Sequence, residues 1–186
     1  MGRTDPDYFE RLYRGDADPW GFEDRWYEQR KYALTLAALP DARYGRAFEP
    51  GCANGALTER LATRCDTLLA YERVGAAADR ARRRMAGAAG VVVEQRVIPD
   101  EWPAELFDLV VLSEVGYYFD GADWDRLYAS VTASLAPGGV LVAVHWRGPT
   151  DYPLAGDEVH RRLAGGPWAC EAHYRDTWAA LDVWRA

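Results

Sequence analysis

Glu49-Pro50-Gly51-Cys52-Ala53-Asn54-Gly55 joins a short apolar run, Ala47-Phe48, to the helical pattern Ala56-Leu57-Thr58-Glu59-Arg60-Leu61-Ala62. Leu57 and Leu61 stand four apart and share a helix face. Small residues at Gly51, Ala53 and Gly55 let backbone N–H groups come close to a ligand, and the helix start behind them favours polar or anionic atoms. The same turn also suits a plain strand-to-helix connection. What points it toward a nucleoside is Glu72, 21 residues beyond Gly51, at the end of the next apolar run, Thr67-Leu68-Leu69-Ala70-Tyr71. A carboxylate there can accept both ribose hydroxyls of an adenosine-type ligand.

Working outward, short apolar runs alternate with helical patterns from Arg46 onward. Candidate strands are Ala47–Glu49, Thr67–Tyr71, Val91–Glu94, Phe107–Leu112 and Val140–His145. Trp124, Leu127, Tyr128, Val131 and Leu135 keep helical spacing, and Pro137-Gly138-Gly139 ends that helix and turns into the next strand. After a helix around Asp157–Leu163, the runs Trp168–Tyr174 and Trp178–Trp184 read as a hairpin. Strand alternating with helix predicts a mostly parallel sheet with helices on both faces, here of seven strands and closed by an antiparallel hairpin. Residues 1–45 form a separate helical segment, broken at Gly15-Asp16-Ala17-Asp18-Pro19. In its second helix Tyr32, Leu36 and Leu39 share a face.

Composition narrows the function classes. The chain has 186 residues, enough for one domain with a short appendage, and 49% hydrophobic content with eight tryptophans fits a packed globule. A formal charge of −7 argues against nucleic acid or an anionic membrane as the main partner. The one basic cluster, Arg80, Arg82, Arg83 and Arg84, reads as the wet face of a helix. No apolar stretch approaches the roughly 20 residues a bilayer span needs, and Met1-Gly2-Arg3-Thr4-Asp5-Pro6 lacks a signal-peptide core. Cys52, Cys65 and Cys170 show neither zinc spacing nor a disulfide framework. A cytoplasmic location is expected.

This order of elements, with the Gly-rich turn and the acid after the second strand, resembles the class I S-adenosylmethionine-dependent methyltransferases, which have a Rossmann-like fold. The resemblance covers Arg46 to Ala186. It rests on Glu49–Gly55, Glu72, Phe107-Asp108-Leu109-Val110-Val111-Leu112-Ser113-Glu114 and Leu135-Ala136-Pro137-Gly138-Gly139. Within that class the chain is most similar to the nodulation protein S-type N-methyltransferases, through Asp18-Pro19-Trp20, Tyr27-Glu28-Gln29-Arg30 and Ser113-Glu114-Val115-Gly116-Tyr117-Tyr118. Two departures stand out: Ala53 where many members carry a second glycine, and Arg73-Val74-Gly75 after Glu72 in place of a Ser-Pro helix start.

The resemblance implies S-adenosylmethionine as cofactor, S-adenosylhomocysteine as product and a small-molecule acceptor. Founding members methylate the free amine of a de-N-acetylated sugar oligomer. On the cofactor side it implies Glu49 ordering the turn and reaching the amino group through water, and Gly51, Ala53 and Gly55 against the ligand. Glu72 would take the ribose. Arg96 and Val97 would serve the adenine, a backbone N–H bonding the ring and Val97 or Ile98 covering its face. Ser113 would stand at the crevice, and Arg30 or Lys31 would meet the methionine carboxylate. Glu114 and His145, at the ends of the fourth and fifth strands, are candidate bases for an attacking amine. Trp20, Tyr117, Tyr118 and Trp146 would line the acceptor path, and Asp151, Tyr152, Asp157 and His160, on the next segment, would shape the acceptor pocket. The aromatic N-terminal segment would cover the cleft as a lid. No metal site is expected, since nothing in the spacing of His145, Asp157 and His160 fixes one. An O-methyltransferase, a non-catalytic adenosyl binder and a nicotinamide reductase are the competing readings. The closing hairpin and the lack of a Tyr-x-x-x-Lys pair downstream of the fourth strand weigh against the last.

Overall fold

The computed structural model describes Thr4 and residues 6–186. Met1–Arg3 and Asp5, on which the reading of the N-terminus partly rests, lie outside the described residues. Five parallel strands come first, β1 (Tyr44–Pro50), β2 (Cys65–Glu72), β3 (Val91–Gln95), β4 (Phe107–Ser113) and β5 (Leu135–Trp146). A hairpin follows, β6 (Ala169–Arg175) and β7 (Ala179–Arg185), giving one sheet in the order β3-β2-β1-β4-β5-β7-β6. β7 runs opposite to the other strands, pairing antiparallel with β5 on one side and β6 on the other.

The central strands are apolar on both sides because both faces are covered. Leu109 and Val111 join Val140, Val142 and Leu181 on one face, under α2 (Trp26–Ala38) and α3 (Ala56–Ala62). Val110 and Leu112 alternate to the other face with Phe48, Leu141 and Trp184. There α5 (Gly121–Ser134) and α6 (Gly156–Leu163) supply Trp124, Leu127, Val131 and Val159. The period of two along each strand thus divides one sheet between two cores. No described helix is long and apolar enough to cross a membrane. A helix α1 (Pro6–Gly15) lies at the carboxyl edge of the sheet, where Phe9 meets Tyr118 edge to face at 4.8 Å.

Three local expectations change. Pro137-Gly138-Gly139 is not a turn ahead of β5 but a bulge within it: Phe107 pairs with Leu135 and Leu109 with Val140. The bulge is fixed by Gly138, at φ +75°, and by the terminal Ala186, whose backbone bonds to Gly138 and Gly139. In α4 (Gly75–Arg84), Arg84 is not a wet residue. It donates to the Asn54 carbonyl at 3.1 Å and pairs with Glu59 and Glu23, fastening α4 over the first loop. Gly55, read from sequence as a ligand contact, does not line the cleft. It sits at φ +83°, where an added Cβ would fall 3.1 Å from both Cα and Cβ of Ala81, so it serves the close packing of α3 on α4. Gly55→Ala should therefore lower stability by about 1–3 kcal/mol through backbone strain and crowding, read as a shift in urea midpoint. An unchanged midpoint would refute this packing role.

Candidate functional site

β1 and β2 end side by side, and the turn after β1 is built by short-range constraints. Gly51 adopts φ +77°, and a Cβ there would lie 2.3 Å from Val115 Cγ2, so glycine is required. Its N–H and that of Cys52 both donate to the Tyr71 carbonyl, at 2.7 and 2.9 Å. Ala53 takes φ +50°, a left-handed conformation costing about 1 kcal/mol for a residue with a Cβ. That conformation aims its N–H at Glu72 Oε2, 3.0 Å away, while Glu72 Oε1 accepts from Val74 N–H at 2.8 Å. The missing second glycine thus leaves the turn intact. Burial pushes the Glu72 carboxyl upward, opposed by these two N–H groups. A carboxylate has about four lone-pair directions, so two bonds leave capacity for a diol.

Glu49 lies beneath this turn, 2% exposed, accepting from Thr58 Oγ1 at 2.6 Å. Burial, with a smaller push from the Glu72 charge, drives its carboxyl up to about 7. Above both acids opens a cleft of about 390 Å³, within the usual range for small-molecule sites. Val97 and Ile98, after β3, line one end. Two of the backbone donors in this stretch are already used: Arg96 N–H is committed to the Glu72 carbonyl at 3.0 Å, and Val97 N–H to Glu101 Oε2 at 2.7 Å. That leaves the N–H of Ile98 for a ring, beside the apolar cover of Val97 and Ile98.

Ser113 and Glu114 line the middle of the cleft. Glu114 is held at φ +55° and collects four donors. Tyr27 hydroxyl (2.8 Å) and Lys31 Nζ (3.1 Å) reach Oε1, and Tyr117 hydroxyl and Trp146 N–H (both 2.8 Å) reach Oε2. These fill its acceptor capacity. Glu114 is a hub that ties α2, the turn after β4 and the end of β5 together around the cleft.

His145, the other predicted base, is fully buried and does not line the cleft. Gly116 N–H donates to its Nε2 at 3.0 Å, so the proton sits on Nδ1, which faces His160 Nε2 at 3.1 Å. His160 Nδ1–H in turn donates to Asp182 Oδ2 at 2.6 Å. Every donor runs one way and each tautomer is thereby assigned. Burial holds both imidazoles below their ordinary range, hence neutral. The chain ends on a backbone amide and anchors the short 3₁₀ turn Gly116–Tyr118. Asp157 belongs to a bidentate pair with Arg147, at 2.8 and 3.0 Å, and not to a metal set.

Two further placements differ from expectation. Arg30 points away from the cleft to Asp176 and the Tyr174 hydroxyl in the hairpin. The rotation of α2 presents Tyr27, Glu28, Lys31 and Tyr32 to the cleft instead, and Arg30 falls off that face. Trp20 lines the cleft but packs with Phe9 and Tyr13 against Val74, over the Glu72 end. The wall of Tyr117, Tyr118 and Trp146 is completed by Tyr152, stacked on Tyr117 at 4.9 Å, and by Tyr27, edge-on to Trp146 at 4.8 Å. Glu28 is a lining acid that sequence reasoning passed over; the phase of α2, shared with Lys31 and Tyr32, was its available signal. Because the Glu49 carboxyl sits near 7 when folded and near its ordinary 4.5 when unfolded, its stabilising contribution is present below about pH 4.5 and lost as pH rises through 7. Glu49→Gln should thus raise the melting temperature at pH 8, by up to about 3 kcal/mol of stability, and leave it little changed near pH 4.5. Equal effects at both pH values would refute the strained-carboxylate account.

The family model of nodulation protein S (NodS) matches residues 7–141. Nodulation protein S of Rhizobium tropici is 39% identical over 130 residues, which are 67% of this chain and 53% of that protein. The chain spans about half the length of the curated relatives it matches. Among solved structures, the N-methyltransferase NodS of Bradyrhizobium japonicum in complex with S-adenosyl-L-homocysteine has a TM-score of 0.87 at 27% identity, covering 97% of this chain and 98% of that one. A Pseudomonas syringae protein of solved structure is 44% identical, with a TM-score of 0.78 over 87% of this chain and 100% of that one. The seven-stranded sheet is that of the class I methyltransferases, and the chain belongs to the nodulation protein S (NodS) family.

Proposed function

We propose that this chain is an S-adenosylmethionine-dependent N-methyltransferase acting on the amine of a small molecule, an amino sugar being the acceptor its family membership favours. The observation that carries the reading is Glu72, buried at the end of β2 and tied to the Gly51–Ala53 turn by its bond to Ala53 N–H. The residues present fit the cofactor. Glu72 would hold the ribose hydroxyls, and Gly51, which admits no Cβ, would let the backbone approach closely. Val97 and Ile98 would cover the adenine. When bound, the cofactor supplies an activated methyl group on a sulfonium.

The protein's own work is then positioning and exclusion of water, worth about 7–11 kcal/mol of barrier when reacting groups are well aligned. Tyr117, Tyr118, Tyr152, Tyr27 and Trp146 form the acceptor wall, whose faces suit the C–H surface of a sugar ring. Residues 1–45 are read as a cap: Phe9, Tyr13, Trp20 and Phe22 lie along the cleft, and Tyr8 reaches Tyr152, hydroxyl to hydroxyl, at 3.4 Å.

Nitrogen is favoured over oxygen as the acceptor atom because the acids lining the cleft are already committed. Glu114 is saturated by four donors, Glu49 is bonded to Thr58, Glu72 to two N–H groups, and Glu28 is paired with Lys31. An alcohol needs a free base, whereas a neutral amine attacks without one. The three cysteines are free and none is part of a disulfide, which fits the cytoplasm.

Calorimetry with S-adenosylhomocysteine should show binding, and Glu72→Ala should weaken it by tens-fold or more, since each charge-assisted bond contributes roughly 1.5–3 kcal/mol. With labelled methyl donor and a panel of amino sugars, other amines and alcohols, label should enter amines only, and its rate should follow the acceptor's own deprotonation. Methylation of an alcohol, or binding of NADH and not of S-adenosylhomocysteine, would overturn the assignment.

A further inference from the structure

We infer that the acceptor amine is carried on a single ring or something smaller, and that Tyr152, backed by Tyr8 of α1, sets this limit by closing the acceptor end of the cleft. The inference rests on the proposal that the cleft transfers a methyl group to an amine. It adds the size of the molecule that bears that amine.

Volume gives the first argument. The whole cleft holds about 390 Å³. Sites for one drug-sized ligand run from roughly 300 to 1,000 Å³. S-adenosylmethionine is itself a ligand of that class, so cofactor and acceptor share a space that elsewhere serves one molecule. What remains beside the methyl group is room for one ring at most.

Closure gives the second. Tyr152 stands on the segment between β5 and α6, and that segment is pinned just beyond it. Leu154 N–H donates to the Tyr117 carbonyl at 3.2 Å. Gly156 lies so close to β5 that a Cβ would fall 2.2 Å from the Trp146 carbonyl oxygen. Anchored in this way, the Tyr152 ring stacks on Tyr117 at 4.9 Å and meets Tyr118 edge-on at 4.7 Å. From α1, Tyr8 meets it edge-on at 6.3 Å with the two hydroxyls 3.4 Å apart, while Phe9 packs on Tyr118. On the other wall Tyr27 stands edge-on to Trp146, and Trp178 stacks on the same indole at 5.0 Å. Rings therefore meet rings from α1 across the 3₁₀ turn to Tyr152, and from α2 across to β5.

The chemistry makes this closure matter. Transfer from a sulfonium needs the nucleophile in line and water kept out, so the reactive arrangement is the closed one. An acceptor that continued beyond its first ring would part Tyr8 from Tyr152, lift α1 and admit water. A single ring is enclosed with those contacts intact.

The test uses the full chain, labelled S-adenosylmethionine, and single-ring amines, glucosamine first, against the β-1,4-linked glucosamine tetramer. The unaltered protein should methylate its best single-ring amine with a kcat/KM about tenfold or more above that of the tetramer. Tyr152→Ala should bring the two within about threefold of each other, whereas Tyr152→Phe, which keeps the ring, should keep the preference. S-adenosylhomocysteine titrated into each variant reports that it is folded, and should bind as it does to the unaltered protein. If Tyr152→Ala does not fold, Tyr8→Ala, on the facing side of the contact, carries the same expectation. A tetramer methylated as well as the single ring by the unaltered protein would show a chain leading out past Thr150, which is exposed and lines the cleft, and would overturn the inference. An unchanged ratio in Tyr152→Ala, or loss of S-adenosylhomocysteine from that variant while it stays folded, would overturn it too. If the unaltered protein bound S-adenosylhomocysteine and methylated no amine of any size, the proposed function would fall instead.

Discussion

The carboxylate of Glu72 couples two chain segments that would otherwise end independently. Its two oxygens take the N–H of Ala53, in the turn after β1, and the N–H of Val74, ahead of α4. Those bonds set the left-handed conformation of Ala53, and with it the height of the turn above the sheet edge. The cleft exists because this acid, although buried, finds backbone donors in place of water. It sits one strand from the point where the order of the sheet reverses, the natural crevice of an open α/β fold.

A second carboxylate organises the opposite wall. Glu114 occupies a backbone conformation that few residues with a Cβ adopt, and four donors from α2, the 3₁₀ turn and β5 hold it there. Behind that wall, the one-way chain from Gly116 through His145 and His160 to Asp182 fixes the same 3₁₀ turn from the core side. Tyr117 and Tyr118 are thus set by two networks, one facing the cleft and one sealed from it. His145 acts on the site only through the turn it supports.

Much of this was legible in the sequence, for identifiable reasons. The strands of the parallel sheet showed as continuous apolar runs because they are buried on both faces, and the hairpin showed through its two evenly spaced runs. Gly51 and Glu72 could be read because their roles follow from local spacing. The misreadings concern contacts between distant residues. That Arg30 turns to the hairpin while Lys31 faces the cleft depends on the rotation of α2, fixed by partners such as Asp176 and Glu114 far along the chain. That His145 faces inward depends on α6 covering that side of β5 with Val159 and His160. The bulge at Pro137-Gly138-Gly139 answers to the terminal Ala186, and no local pattern announces it.

The central claim is that the turn at Gly51–Ala53 and the Glu72 carboxylate jointly hold a nucleoside. A crystal structure of this chain soaked with S-adenosylhomocysteine tests it most directly. The account predicts both ribose hydroxyls within hydrogen-bond distance of Glu72, with the purine against Val97 and Ile98. Density for the nucleoside elsewhere, or side chains filling that cleft in the ligand's presence, would contradict it.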